Sequence, residues 1–355
     1  MIDFLVIGGG IAGLSAGARL SALGRVHVLE AEDALGHHAS GRSAALYEAS
    51  YGKPAVQALN RASLEFHTAA GVLSPRGAML VGRAAEAQAY QADLMGMTLS
   101  PISAQEACDL FPILNPKVVD RAAYDPAAQD IDTDKLMQHF ARTIRQNGGQ
   151  VETKRRVSMI ARTARGWAVT AGEVFECRTL VNAAGAWVDE IAKLAGLEPL
   201  GFQPYRRSMA RIPAPDGLSP ATWPMVFGAG DGWYAKPDAG ALIVSPSEEH
   251  PMAPHDAWAD DMVLAEGLAR YEAYVTEPVT RLLASWAGLR TFAPDRHLVL
   301  GPDPRDPGFI WCAGQGGYGF QSSPAASQLL FEVVSGVQTT LPAEIVRKLT
   351  PARLL

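Results

Sequence analysis

Apolar positions first gather in a short run, Phe4 to Ile7, which enters Gly8, Gly10 and Gly13 and continues as a helical stretch through Leu14, Ala18 and Leu23. Gly24 stops that helix, and Arg25 to Glu30 reads as a second strand. A strand, helix and strand in this order predict a parallel pair joined by a right-handed crossover. From Leu46 to Gln129 the pattern loosens into mixed helical and extended pieces rich in turn residues, as an inserted domain would. Asp132 is placed to cap a helix with Leu136, Phe140 and Ile144 on one face, ending at Gly148 and Gly149 before an extended Val151 to Thr153. The opening domain therefore resumes there. Thr179 to Asn182 is an apolar strand that runs into Ala183, Ala184 and Gly185, and Val188, Ile191 and Leu194 mark the helical face that follows.

Further on, residues 232–236 and 241–245 predict antiparallel strands around the turn Pro237 to Gly240. Phe309 to Ala313 reads as a strand, Gly314 to Gly319 as a glycine turn, and Ser323 to Ser335 as a closing helix. The sum is an α/β fold with an α+β part. At 355 residues, two closely packed domains or one large one are expected. The balance of 31 basic and 37 acidic residues, with no basic run, argues against a nucleic-acid partner.

Cys108, Cys177 and Cys312 are an odd number without a CxxC pair, which fits neither a disulfide framework nor a zinc site and points to a reduced, cytoplasmic setting. The apolar start, Ile2 to Leu23, lacks a basic leader and is broken by glycines, so it reads as nucleotide-binding structure rather than a signal peptide. No stretch approaches the ~20 apolar residues that span a bilayer, which leaves at most a peripheral membrane association.

Gly8, Gly10 and Gly13 form a GxGxxG: the first permits a tight turn, the second lets backbone meet a pyrophosphate, and the third lets the helix pack closely. Amides at the helix start then face the phosphates. Glu30, 17 positions after Gly13, is placed to accept hydrogen bonds from ribose hydroxyls. These residues predict a dinucleotide but leave FAD and NAD open. Gly36 to Ala45 is a small polar stretch able to wrap a second phosphate and a ring system. His37 and His38 have no partner ligands at zinc spacing and read as bystanders, so no metal is expected.

Several dispersed runs then carry a resemblance: Gly41 to Ala45 with Tyr51 and Gly52, Tyr124 to Asp134, Val181 to Trp187, Arg206 to Ser208, Tyr234 to Gly240, Trp286 to Arg290, and Gln315 to Gly319 with Gln321. With the glycine motif, they make the chain resemble the D-amino-acid oxidase family of flavoproteins, and within it the FAD-dependent D-arginine dehydrogenases. The resemblance implies a Rossmann-like FAD-binding domain (1–52, 134–198 and 286–355) interleaved with a substrate domain built on an antiparallel sheet (53–133 and 199–285).

It implies noncovalent FAD held by Gly8, Gly10, Ile11, Ala12, Gly13, Glu30, Ala31, Ser40, Arg42, Ser43, Ala44, Ala45, Val157, Ala184, Gly185, Trp187, Gly288, Arg290, Gly314, Gly316, Gly317, Tyr318, Gly319, Phe320 and Gln321. Arg207 and Arg290 match arginines near a substrate carboxylate, and Tyr51 and Tyr234 match aromatic residues that touch it and close the pocket. Arg206, adjacent to Arg207, leaves that assignment open. Tyr51, on a glycine-containing loop, is placed to act as a lid. Gly317 and Gln321 are implied at the flavin edge or beside substrate. Cys312 does not match the position of covalent flavin attachment and reads as an inert buried thiol.

The departures bear on substrate. Ala78 stands where the D-arginine enzymes carry the carboxylate for the substrate guanidinium, Leu46 replaces a histidine, and Glu48 replaces a small hydroxyl residue. Leu46, Ala78, Met225 and Phe227 are therefore expected to line a pocket for apolar or moderate-sized D-amino acids, with Glu48 restoring a charge if it points inward. The implied reaction is oxidative deamination by hydride transfer from the α-carbon to flavin N5, giving a 2-oxo acid and ammonia. Oxygen or a quinone would reoxidise the flavin, and the chain would act as a monomer or small homo-oligomer. Oxidation of a secondary amine or a 2-hydroxy acid is the alternative on the same fold, and a flavin-binding component without turnover is the non-enzymatic one.

Overall fold

A computed structural model describes residues 1–230 and 232–355, whose strands form three sheets. In the first, eight-stranded sheet, Ile2–Ile7 lies between Val26–Leu29 and Glu173–Asn182, parallel to both. Phe4 and Val6 enter one core cluster with Leu14, Leu136, Phe140 and Leu329. Leu5 and Ile7 enter another with Trp167, Leu180, Val188, Ile191 and Trp311. A strand buried on both faces explains why the opening run is continuously apolar rather than alternating. Gln150–Glu152 extends the sheet beyond Val26–Leu29, and Asp306–Ala313 pairs in parallel with the end of Glu173–Asn182.

The helices Ile11–Leu20, Thr133–Gln146 and Gly319–Ser335 cover one face. Asp132 caps the second of them, its side chain accepting from Lys135 N. The third starts at Gly319, four residues before the expected Ser323, because Pro324 sits inside the helix rather than in its first turn. The Phe320 carbonyl, which Pro324 has no N–H to bond, accepts instead from Ser323 Oγ at 3.1 Å. The first helix ends at Leu20, short of Leu23; there Ser21 Oγ donates to Ala18 O at 2.7 Å.

The nine-stranded sheet is built on Gln203–Pro213, flanked by Ala284–Phe292 and Ala241–Ser245. Trp233–Asp238 and Ala241–Ser245 form the expected hairpin. The sheet is mostly antiparallel, but Met225–Gly228 runs parallel to Ala78–Gly82 and so joins the early insertion to the later strands. The expected domain limit at 286 falls inside Ala284–Phe292, which pairs along its length with Gln203–Pro213. A third small sheet brings Leu46–Tyr47 and Leu73–Pro75 onto Gln129–Ile131. No helix among the described residues is long and apolar enough to cross a membrane.

Candidate active site

A single long cavity runs from the glycine turn to the nine-stranded sheet. At its first end Gly8 has φ +112°, and a Cβ on Gly13 would stand 1.9 Å from Gly8 O. Turn and helix therefore touch backbone to backbone, and only glycine fits at Gly13. Glu30 is buried, its Oε2 accepting from Gly9 N at 2.6 Å and its Oε1 from Glu32 N at 2.9 Å. Those bonds fix the carboxylate beside the turn and leave lone pairs for hydroxyl donors. Ser40 Oγ accepts from Ile11 N at 3.0 Å, and the first turn of that helix carries no acid, so its positive end stays suited to a phosphate.

The cavity wall also includes Gly10, Ile11, Ala12, Ala31, Arg42, Ser43, Ala44, Ala45, Val157, Ala184, Gly185, Trp187, Gly288, Arg290, Gly316, Gly317, Gly319, Phe320 and Gln321. Gly13, Gly314 and Tyr318 stand behind it. Gly13 packs on the turn, Gly314 lies against Phe202, and Tyr318 caps the helix Gly319–Ser335 with its ring 5.2 Å from that of Tyr51. Arg42 differs from an ordinary phosphate ligand. Its Nε donates to His37 O, its Nη1 to the carbonyls of Ala257 and Ala287, and its Nη2 to Asp256, so the guanidinium clamps segments together.

Glu32 and Arg156, which the sequence reading did not single out, line this end too, together with His37 and His38. Glu32 meets His38 at 3.2 Å and Arg156 at 2.8 Å, while His37 lies 3.4 Å from Asp256. Glu32, His37 and His38 have ligand atoms close enough to share an ion, a proximity that no spacing along the chain reveals. Each is already engaged by these neighbours.

At the far end, pairing places Arg207 opposite Gly288 and Tyr205 opposite Arg290, so Arg207 and Arg290 are diagonal neighbours on one sheet face. Both line the cavity. Arg206 takes the other face, 3.8 Å from Glu248 and 3.4 Å from Asp260, and of the adjacent pair it is Arg207 that lines the cavity. Arg207 Nε donates to Glu248 O at 2.9 Å. Burial lowers the Arg207 pKa, and the like charge of Arg290 adds to this. Burial opposes the Arg290 charge as well, but Tyr234, Tyr51 and Glu249 outweigh it and raise its pKa.

Among the described residues the Arg290 guanidinium makes no side-chain hydrogen bond, and the buried Tyr234 hydroxyl has no partner. Tyr51 joins them in the wall. Arg207 Nη2 also lies 3.6 Å from Glu249 Oε1, while the free donors of Arg290 beside the unpaired phenol make an arrangement able to bind a carboxylate.

Leu46 and Phe227 pack against Met209, Met225 and Tyr234, and Ala78 pairs with Met225. Met209 shares its strand face with Arg207, a period-two signal that was available; Met97 and Leu99 reach the wall from a loop that only tertiary contact with Ser50 places. Glu48 does point inward: it is 8% exposed and lines the cavity. Its Oε1 accepts from Ser50 N at 2.8 Å and Ser50 Oγ at 2.7 Å, and the buried Oε2 meets no N–H donor among the described residues, the Asp125 carboxyl being the neighbour with which the Glu48 side chain shares a hydrogen bond. Burial pushes its carboxyl pKa up, helped by the neighbouring Asp125. Gln321 Oε1 accepts from Glu48 N at 3.0 Å, so its side chain braces the Glu48 loop as well as lining the cavity. Cys312 is buried outside the cavity wall, its thiol pushed up to about 12 by burial.

Residues 3–333 match the family described as FAD dependent oxidoreductase. Glycine oxidase of Pseudomonas putida is 26% identical, the match taking in 94% of each chain. Hydrogen cyanide synthase subunit HcnC of Pseudomonas aeruginosa is 26% identical over 59% of this chain, and the match spans half of that protein's length. Among solved structures, L-proline dehydrogenase from P. horikoshii superposes with a TM-score of 0.85 over 99% of this chain and 97% of that one, at 21% identity. The glycine cradle, the pinned Glu30 and the length of the cavity fit the cofactor of this family, and the chain belongs to the DAO family of FAD-dependent oxidoreductases.

Proposed function

We propose that the enzyme oxidatively deaminates D-amino acids of apolar or moderate size to 2-oxo acids and ammonia. The observation that carries this reading is the juxtaposition of Arg207, Arg290 and the unpartnered Tyr234 hydroxyl with the apolar wall of Leu46, Met225 and Phe227. The arginines bind the substrate carboxylate, the phenols of Tyr51 and Tyr234 complete its hydrogen bonds, and the apolar wall takes the side chain.

The residues that would hold FAD are the Gly8 to Gly13 turn, Glu30, the Ser40 to Ala45 segment and the Gly316 to Gln321 segment. When bound, FAD supplies the two-electron acceptor for oxidation at the α-carbon. This chain's own residues orient that carbon and exclude water from it, and no side chain is assigned as an obligatory base. Ala78 leaves a distal guanidinium without a carboxylate at that position, which argues against D-arginine. The resemblance to glycine oxidase and L-proline dehydrogenase favours a second reading, oxidation of a small primary or secondary amino acid anchored by the same arginines.

Anaerobic mixing of the yellow holoenzyme with a panel of amino acids tests both. D-leucine, D-methionine or D-phenylalanine should bleach the flavin faster than D-arginine or D-lysine. Fastest bleaching by proline, sarcosine or glycine selects the second reading, and fastest bleaching by D-arginine overturns the apolar pocket.

A further inference from the structure

The arginines at the far end of the cavity already have a carboxylate beside them. Glu249 lies on the segment that begins at the cavity-lining Ser247 and stands just outside the wall, its Oε1 3.6 Å from Arg207 Nη2. Both of its oxygens accept from Arg296 Nη2 at 2.9 Å. Arg296 is held in turn, its guanidinium carbon 3.9 Å from the centroid of the Phe292 ring. The segment is pinned as well, because Glu248 Oε1 accepts from Ser208 N at 2.7 Å and Glu248 O from Arg207 Nε at 2.9 Å. Arg207 therefore takes its orientation from the Glu248 carbonyl. Glu249, too far from it for a hydrogen bond, gives it charge rather than geometry. That charge reaches further: burial opposes the positive charge of Arg207 and of Arg290, and Glu249 favours it at each.

We propose that Glu249 limits how tightly the site holds a carboxylate, acting through Arg207 as a resident counter-charge against which every substrate and every 2-oxo acid product must bind. This rests on the deamination reading above, in which Arg207 and Arg290 anchor the substrate. Substrate and product share the carboxylate, so two uncompensated arginines would hold both tightly, and uniform tight binding slows release without speeding the chemistry. A negative charge beside Arg207 weakens both complexes alike. Arg296 keeps Glu249 in place when Arg207 turns to the ligand, so the counter-charge stays through the whole cycle.

The test is the Kd of benzoate for the holoenzyme, read from the flavin absorbance, beside KM and kcat for the fastest substrate of the amino-acid panel. Glu249→Gln and Glu249→Ala should each tighten benzoate about two- to fivefold at low salt and lower KM by a similar factor, with no rise in kcat. Two neutral replacements are used so that misfolding of one does not remove the comparison. The gain over the natural protein should shrink between about 0.01 M and about 1 M salt, because an exposed charge is screened. Weaker benzoate binding in the variants would mean that Glu249 only holds Arg207 in position, and would overturn the proposal. So would an unchanged Kd, or a gain equal at both salt concentrations. A natural holoenzyme that binds neither benzoate nor any amino acid sinks the carboxylate site beneath the proposal, whereas benzoate binding that the variants fail to tighten sinks this inference alone.

Discussion

Arg290 is half-buried, and among the described residues its guanidinium donors meet no side-chain acceptor, so an anionic ligand would offset its desolvation. Arg290→Leu should therefore raise KM for the amino acid and lower kcat/KM roughly ten- to hundredfold, while the flavin stays bound. Steady-state kinetics beside the visible spectrum of the purified variant check both halves. Glu48 makes the opposite kind of prediction, in stability. Its folded pKa lies above the ordinary glutamate value, so the native state holds a proton that the unfolded chain gives up. The contribution is fully present below the unfolded pKa and is lost as pH rises through the folded one. Glu48→Gln, which cannot ionise, should match the natural protein in Tm below about pH 4 and exceed it increasingly toward about pH 8. Parallel Tm curves would show that the carboxyl stays ionised in both states.

The strand, glycine turn and helix at the start of the chain were legible because every local signal agrees: a continuously apolar strand, glycines at the two contact points, and a periodic helix face. Gly13 is the sharpest case. Gly13→Ala would place a methyl 1.9 Å from Gly8 O, so the helix must move off the turn, and the variant should lose FAD on gel filtration. Retained yellow colour would show that the turn yields more easily than its packing suggests. What the sequence hid are contacts that cross elements. The parallel pairing of Met225–Gly228 with Ala78–Gly82 joins residues some 147 positions apart (225 − 78), and neither strand announces its neighbour. Arg42, implied at the cofactor and lining the cavity, also spends donors on the carbonyls of Ala257 and Ala287, a clamp no local pattern announces. Buried Lys236 gave no signal either. It pairs with Asp130 at 2.8 Å and donates to Ala44 O, tying the nine-stranded sheet, the small sheet and the strained Ala44–Ala45 loop, where Ala45 has φ +48°. Lys236→Met leaves Asp130 with Arg76 as its remaining cation, at 2.7 Å, and frees that loop; it should cost about 1–3 kcal/mol in unfolding free energy and weaken FAD binding, with Lys236→Arg recovering part of each.

At the scale of the whole molecule, the cavity is walled by both large sheets: the Ile7 and Ala183 strand ends on one side, Arg207, Met225, Tyr234 and Arg290 on the other. A cofactor lying along it contacts both halves of the core, whereas the stripped protein must keep a long groove lined by apolar residues and two like-charged arginines open to water. FAD is thus expected to act as part of the fold. A ligand that binds only the native state stabilises it by RT ln(1 + [L]/Kd), about 2.7 kcal/mol at a hundredfold excess over Kd. Stripping the flavin should lower Tm, and titrating FAD back should raise it logarithmically rather than to a fixed plateau. A nonreactive carboxylate such as benzoate should raise Tm further in the holoenzyme, because it offsets the repulsion between Arg207 and Arg290. That second increment should vanish in Arg290→Leu while most of the FAD increment survives, since the cofactor contacts from the glycine turn to Ala45 are untouched. Loss of both increments together would mean that Arg290, which the resemblance implies at both ligands, acts chiefly through the cofactor.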